Sequence, residues 1–107
     1  MNDPDAYDEV AKIKSAVDLR VLCLCQRYVD YGNIITATQS EIASQLGLHQ
    51  QNVSASMKRL ESMGFVRKMG KRGTVNKWAL SPRLLFMGKP RDHKVAILKY
   101  DAGEDWA

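Results

Sequence analysis

The chain has 107 residues, of which 45% are hydrophobic and 26% charged, a balance typical of one small globular domain. No stretch approaches the ~18 apolar residues of a membrane span, and the acidic start is unlike a signal peptide, so we expect a cytoplasmic protein without a membrane partner. The net charge is +4, but residues 58–94 hold 11 lysines and arginines against two acids, which favours a polyanion partner such as DNA.

Residues 1–14 are predicted to form an N-terminal arm, of which the first seven residues are expected to be disordered. A helix is predicted over about residues 15–31. Ser15 and Asp18 have the spacing of a helix-start box, in which side chains satisfy the first backbone donors. The helix presents one broad apolar face, formed by residues that include Val17, Val21, Leu24 and Tyr28.

The cysteines and histidines do not predict a metal site. Cys23 and Cys25 are two residues apart in the predicted helix, so their side chains diverge, and we expect buried, reduced thiols. His49 and His93 are isolated, with no third ligand spaced to join them. The sequence also lacks a nucleophile beside a base, paired carboxylates in an apolar context and a phosphate loop. We therefore expect neither a cofactor nor an enzyme.

Residues 38–63 predict two short helices joined by a tight turn. Thr38 and Glu41 have the spacing of a capping box, which starts the first helix. Gly47 can end that helix in the left-handed conformation at no steric cost. Apolar residues of the second helix recur at i, i+4 and i+7, as on a buried helix face. The joint pattern of Ala43, Gly47, Leu48 and Val53 is that of a helix-turn-helix, with an ordinary helical hairpin as the alternative.

The outward face of the second helix has the chemistry of a DNA-reading surface. At ~100° per residue, amides, hydroxyls and cations lie opposite the apolar face. A merely solvated face is more often rich in glutamate and lysine, and no acid occurs between His49 and Arg59. Glutamine and asparagine can pair bidentately with adenine, and lysine can reach guanine. The predicted base contacts are Gln51, Asn52, Ser54, Ala55 and Lys58, and the predicted backbone contacts are Thr38, Gln39, Ser40, His49, Gln50 and Arg59.

A β-hairpin is predicted after the second helix. Residues 65–69 and 74–80 are the expected strands, residues 70–73 the turn, and residues 34–37 a short third strand that pairs with the hairpin. The turn carries two cations that could contact phosphates or the minor groove. The predicted contacts of this wing are Lys71, Arg72 and Thr74.

With these elements, the chain resembles the winged helix-turn-helix superfamily in its MarR-like form over residues 15–82. The resemblance is carried by TQSEIASQLGLHQQNVSASMKRLESMGFVRK, by the GKRG wing and by the return strand NKWALSP. It implies an α+β, mainly helical domain with a three-helix core and a two- to three-stranded wing. It also implies a dimer that acts on double-stranded DNA.

A narrower resemblance is to plasmid replication and maintenance proteins of the RepL type. It is carried by three short stretches, DLRVL at residues 18–22, YGN at 31–33 and SPRLLFMGK at 81–89. It implies binding to origin repeats together with replication machinery.

Residues 83–107 form a C-terminal extension with two apolar clusters, at residues 83–87 and 95–100, the second of which fits a strand or a helix. Both lie outside the three-helix core, so we expect a homodimer interface; folding back on the same domain is the alternative. Residues 101–107 form an acidic tail that includes Trp106.

Three functions are consistent with these features. The first is a sequence-specific transcriptional repressor that binds a pseudo-palindromic operator as a homodimer. The second is a plasmid replication initiator or copy-control protein that binds origin repeats. The third is a protein-interaction winged helix, which would require an apolar or acidic outward face on the second helix. The sequence shows neither, so DNA is the favoured partner.

Overall fold

The computed structural model describes residues 4–72 and 75–103. These residues form an α+β, mainly helical fold, as predicted. The helices are α1 (Pro4–Ala11), α2 (Ala16–Arg27), α3 (Gln39–Leu46), α4 (Gln50–Ser62) and α5 (His93–Ala102), the last preceded by a 3-10 turn at Pro90–Asp92. The strands are β1 (Val29–Asp30), β2 (Ile34–Ile35), β3 (Val66–Arg72) and β4 (Val75–Leu80). None of the described helices is both long enough and apolar enough to span a bilayer.

The core lies between α2, α3, α4 and the sheet. It contains residues from all four of these elements and from the C-terminal extension, and several of its side chains have no exposed surface: Val21, Cys25, Val53, Leu60, Leu80 and Leu84. Each Å² of apolar surface that is buried in this cluster stabilises the fold by ~25 cal/mol, so the cluster is the main source of stability. It also fixes how α4 sits on the rest of the domain.

The helix predicted over residues 15–31 is shorter than expected. Ser15 caps it as predicted, since its hydroxyl accepts a hydrogen bond from the Asp18 backbone N–H at 3.2 Å. However, α2 ends at Arg27, and the next residues pair as β1 with β2. The chain reverses there at Asn33, which adopts φ 61°. Because this turn brings residues 29–30 beside the predicted third strand, sheet pairing replaces the last turn of helix.

The N-terminal segment is more ordered than expected. Residues 4–7, which fall in the stretch predicted to be disordered, form the start of α1. Pro4 suits the first helical position because its missing N–H would have no partner there. The Tyr7 hydroxyl donates a hydrogen bond to the Leu84 carbonyl at 2.7 Å. A tertiary contact of this kind cannot be read from the local sequence.

The strands form an antiparallel sheet in the order β1-β2-β4-β3. Ile34 lies opposite Ala79, which confirms that the predicted third strand exists, although it spans Ile34–Ile35 and not residues 34–37. The hairpin is confirmed too, but its predicted turn at residues 70–73 is wrong, because β3 continues to Arg72. The register shifts between Lys68 and Lys71, so Gly70 lies at an irregularity within the strand. Residues 73–74, between the paired ends, lie outside the described residues.

The first apolar cluster of the C-terminal extension folds back on its own domain. Leu84 is fully buried, and Leu85 packs against the core. The amide of Asn33 donates to the carbonyls of Leu80 and Leu85, and its oxygen accepts from the Met87 N–H at 2.7 Å. The expectation that this cluster needs a partner chain is therefore wrong for Leu84 and Leu85, whereas Met87 stays exposed.

The second cluster belongs to α5, which settles its conformation as helical. The Tyr100 hydroxyl donates to the Gly64 carbonyl at 3.0 Å, and Arg83 forms two hydrogen bonds with the Asp101 carboxylate. Val95 and Leu98 remain exposed. The cluster is thus only partly covered within the described chain.

Candidate nucleic-acid interface

The helix-turn-helix is built as the sequence predicts. The Glu41 N–H donates to the Thr38 hydroxyl at 3.1 Å, and the Thr38 N–H donates to the Glu41 carboxylate at 3.0 Å, which completes the capping box. Gly47 ends α3 with φ 66°, in the left-handed region. The Leu48 N–H then donates to the Ala43 carbonyl at 2.9 Å, which closes the turn. The two helices are therefore held in a fixed relation by local bonds.

Burial along α4 confirms the predicted projection. Val53, Met57 and Leu60 are at most 1% exposed, so they anchor the helix in the core. On the opposite side, Gln51, Asn52, Ala55 and Lys58 are exposed, and Ser54 is half-buried. The five residues predicted to contact bases thus lie on the solvent side of α4 or at its margin. We call α4 the recognition helix below.

Two helices contribute to a shallow open depression of about 540 Å³ beside the start of the recognition helix. It is lined by Gln39, His49, Gln50, Gln51 and Ser54. The structure therefore brings together three predicted backbone contacts and two predicted base contacts. Amide, imidazole and hydroxyl groups can donate to phosphate oxygens as well as to base edges. No carboxylate lines the depression, so nothing in its lining repels a phosphate.

The remaining residues predicted to contact the backbone at the start of α3 are in a mixed setting. Ser40 is exposed. The Thr38 oxygen already accepts the capping hydrogen bond, although its proton remains available for donation. The exposed Glu41 carboxylate lies against the Thr38 N–H and would disfavour a phosphate there. His49 occupies the N-cap position of α4 without a side-chain capping bond.

A buried ionic group under the recognition helix was missed by sequence reasoning. Asp18 of α2 is only 2% exposed, and its carboxylate accepts a hydrogen bond from the Ser56 hydroxyl at 2.6 Å. Arg59 donates to the same carboxylate through Nε at 3.0 Å and through Nη2 at 2.8 Å. The one sequence signal is an acid within an otherwise apolar helical stripe, and its spacing from Ser15 is also that of a capping residue.

This group changes how Arg59 can serve a nucleic acid. The hydrogen bonds from Arg59, together with that from Ser56, hold the pKa of Asp18 below its usual range despite the cost of burial. The pKa of Arg59 is raised by the same pairing. One edge of the guanidinium, formed by Nε and Nη2, is therefore committed, while the side chain stays 52% exposed. Arg59 can still touch a phosphate, but its charge is largely balanced by Asp18.

In the wing, the structure describes the backbone of β3 and β4 and the side chains at the base of the hairpin. Lys68 is exposed on β3, and its N–H donates to the Glu61 carboxylate at 2.9 Å, which ties the strand to the end of α4. Lys71 and Arg72 lie in β3 opposite Asn76 and Val75. Their side chains, and the whole of Thr74, lie outside the described residues. The contacts predicted for these three residues stay predictions.

The thiols differ from one another. Cys25 is buried, and burial raises its pKa to about 12, whereas Cys23 is exposed. The expectation that both thiols are buried is thus wrong for Cys23, which lies on the outer side of α2. Within the described part of the chain, no group of three or more His, Cys, Asp or Glu side chains could hold a metal.

Comparison with known proteins agrees with this geometry. The family model of the Crp-like helix-turn-helix domain matches residues 19–80, from α2 to the end of the wing. This is more than half of the chain. No curated protein matches the chain. The match supports DNA binding and bears on the helix-turn-helix as a whole, so the MarR-like and RepL-type resemblances stay predictions. The chain belongs to the family of Crp-like helix-turn-helix domains.

Proposed function

We propose that the chain is a sequence-specific transcriptional repressor that binds a pseudo-palindromic operator in double-stranded DNA as a homodimer. The observation that carries the proposal is the exposed side of the recognition helix. There, Gln51, Asn52 and Lys58 are exposed around the small Ala55, with no acid on the helix before Glu61. Small and polar residues let a helix approach base edges closely. The protein bound at its operator would then block RNA polymerase.

In this proposal the bases are read by Gln51, Asn52, Ser54 and Lys58 in the major groove. Gln39, His49 and Gln50 line the same depression as two of these residues, so they are proposed to fix the helix on the flanking phosphates. The wing would follow the neighbouring backbone through Lys71, Arg72 and Thr74. A two-fold dimer would place two recognition helices in major grooves about one turn, ~34 Å, apart.

The test is selection of bound sites from random duplex DNA with the purified full chain. We expect a two-fold symmetric site with half-sites spaced by about 10 base pairs, together with steep salt dependence. Failure to enrich any sequence at low salt would overturn the proposal. A reporter gene placed behind the selected site should then be repressed; activation would keep DNA binding and reject repression.

A second candidate is replication initiation or copy control at plasmid origin repeats. It is favoured by the contacts between two stretches of the chain. The stretches YGN and SPRLLFMGK, which carry the RepL-type resemblance, meet through Asn33 and Met87, and the Gly32 N–H also donates to the Met87 carbonyl at 2.7 Å. Direct rather than inverted repeats in the selected sites would favour this candidate, since direct repeats call for head-to-tail binding.

A further inference from the structure

One side of α5 carries an apolar surface that the described chain does not cover. Val95 is 49% exposed and Leu98 is 69% exposed. Two apolar side chains from elsewhere extend this surface: Tyr31, 65% exposed, and Met87, 41% exposed. Tyr31, Met87 and Val95 line one groove of about 300 Å³ between α5 and the chain at residues 31–32 and 86–89. We call it the α5 groove.

The α5 groove is separate from the proposed DNA surface. None of its lining residues belongs to α3, to the recognition helix or to the hairpin. Exposed apolar side chains that cluster around one groove of a small monomer often mark an interaction site. A partner could therefore occupy the groove while the recognition helix is bound to DNA.

The charges along this side of α5 are complementary to those of the same side in a second copy. Asp92 and Lys99 both line the groove and are exposed, and neither forms a hydrogen bond or ion pair with another described side chain. They are seven residues apart, about two helical turns, so they lie on the same side of the helix. Between them lie Val95 and the small Ala96. The order along the stripe is acid, apolar, small, base.

A second α5 running antiparallel across this stripe matches it at every position. With a two-fold axis between Val95 and Ala96, Asp92 of one copy faces Lys99 of the other, twice. Val95 of each copy faces Ala96 of the other, and the small side chain lets the helices approach closely. A parallel pair would instead place like charges side by side. The pattern thus fits a second copy of this chain in one orientation.

We propose that the α5 groove is the homodimer interface and that it is formed by antiparallel α5 helices with reciprocal Asp92–Lys99 pairs. The inference rests on the homodimer of the proposed function, but it concerns association without DNA. The groove is lined by ten residues, whereas a stable complex usually uses about 20–30 residues from each partner. The dimer is therefore expected to be weak and concentration-dependent in free solution.

The test is sedimentation equilibrium of the full chain without DNA over a wide range of concentration. Wild type should show a monomer–dimer equilibrium. Asp92→Lys and Lys99→Asp, taken singly, should each weaken the dimer by about tenfold or more because each leaves two like-charge contacts. The double variant Asp92→Lys with Lys99→Asp should regain most of the lost affinity, which a folding defect could not produce.

The matched control is Lys94→Asp, which makes the same charge change on α5 at a residue that does not line the groove. It should leave the dimer unchanged. A wild type that stays monomeric, or a double variant no better than either single variant, would overturn the interface. Dimerisation gained only by a chain ending at Gly103 would also overturn it, in favour of residues 104–107 as the occupant. Because DNA is absent, a failed dimer leaves sequence-specific binding to be tested separately.

Discussion

The carboxylate of Asp18 and the guanidinium of Arg59 form a two-point ion pair that joins α2 to the recognition helix. The acid is buried and the base is half-exposed, and Ser56 adds a third hydrogen bond from the same helix. The pair lies between the helix that anchors the core and the helix proposed to read DNA. It therefore fixes the rotation of the recognition helix about its own axis.

The Asp18 pair should make folding stability depend on Asp18 and on pH. Asp18→Asn should lower the free energy of unfolding by about 2 kcal/mol at neutral pH, because hydrogen bonds to a charged group are lost. The pKa of Asp18 is lowered on folding, so its contribution is present above the unfolded pKa and is lost as pH falls through the folded pKa. Urea unfolding from about pH 5 to about pH 2 should show the difference between the proteins shrinking.

The control for this variant is Glu9→Gln, which breaks the exposed Glu9–Lys12 pair on the surface. No measurable loss of stability is expected there, since exposed pairs contribute little. A difference between wild type and Asp18→Asn that is equally large at both ends of the pH range would show that the charge of Asp18 is not the cause.

Substitutions on the recognition helix should change which bases are preferred. Gln51→Ala and Asn52→Ala each remove an exposed amide, and a good bidentate base contact is worth about 1–3 kcal/mol of discrimination. Site selection with each variant should relax one position of each half-site and keep the others. Gln26→Ala, which removes a half-buried amide on α2, should leave the selected sequence intact. If all three variants selected the same base sequence as the wild type, the proposed docking would be rejected.

Substitutions on the wing should weaken binding to every sequence alike. Lys71→Ala with Arg72→Ala should lower affinity for specific and random DNA together, because phosphate contacts carry no sequence information. The slope of log affinity against log salt should fall by roughly one unit per lost contact. The double variant Arg91→Ala with Lys94→Ala removes the same charge next to and within α5 and serves as the control. An unchanged slope in the wing variant would place these cations away from DNA.

Asn33 should be sensitive both to its side chain and to its backbone angle. Its amide group satisfies the Leu80 and Leu85 carbonyls and the Met87 N–H, and its φ is 61°. Asn33→Gly keeps the left-handed conformation accessible and should cost about 1–3 kcal/mol from the unsatisfied buried groups. Asn33→Ala should cost about 1 kcal/mol more, since alanine is strained at positive φ. Equal free energies of unfolding for the Asn33→Gly and Asn33→Ala variants in chemical denaturation would show that the turn relaxes to accommodate alanine.

The two thiols should react at very different rates. Cys23 is exposed, whereas burial raises the pKa of Cys25 to about 12, so almost no thiolate forms there near neutral pH. A chromogenic disulfide reagent should titrate one thiol in the native protein and two in denaturant. Cys23→Ser should abolish the native signal. Two fast thiols in the native wild type would contradict the burial of Cys25.

The local elements of the helix-turn-helix could be predicted from the sequence because their signals are local. The capping box of Thr38 and Glu41, the left-handed Gly47 and the period of Val53, Met57 and Leu60 each depend on residues within two helical turns. The outward side of the recognition helix followed by simple projection. The hairpin is also predictable from local signals, but the position of its turn is not. A glycine at an irregularity within a strand, such as Gly70, has the same local sequence signal as a glycine in a turn.

The tertiary structure decided the features that join residues far apart in the chain. Asp18 has the spacing of a capping residue, and only the packing of α2 on α4 turns its carboxylate toward Ser56 and Arg59, about 40 residues away. Leu84 is an apolar residue in an extension, and only the turn at Asn33 gives that segment a place in the core. The sequence by itself determined the helix-turn-helix, its apolar side and the excess of positive charge that favours a polyanion partner. Long-range hydrogen bonds and burial decided which polar groups remain free to meet DNA and which side of α5 stays exposed.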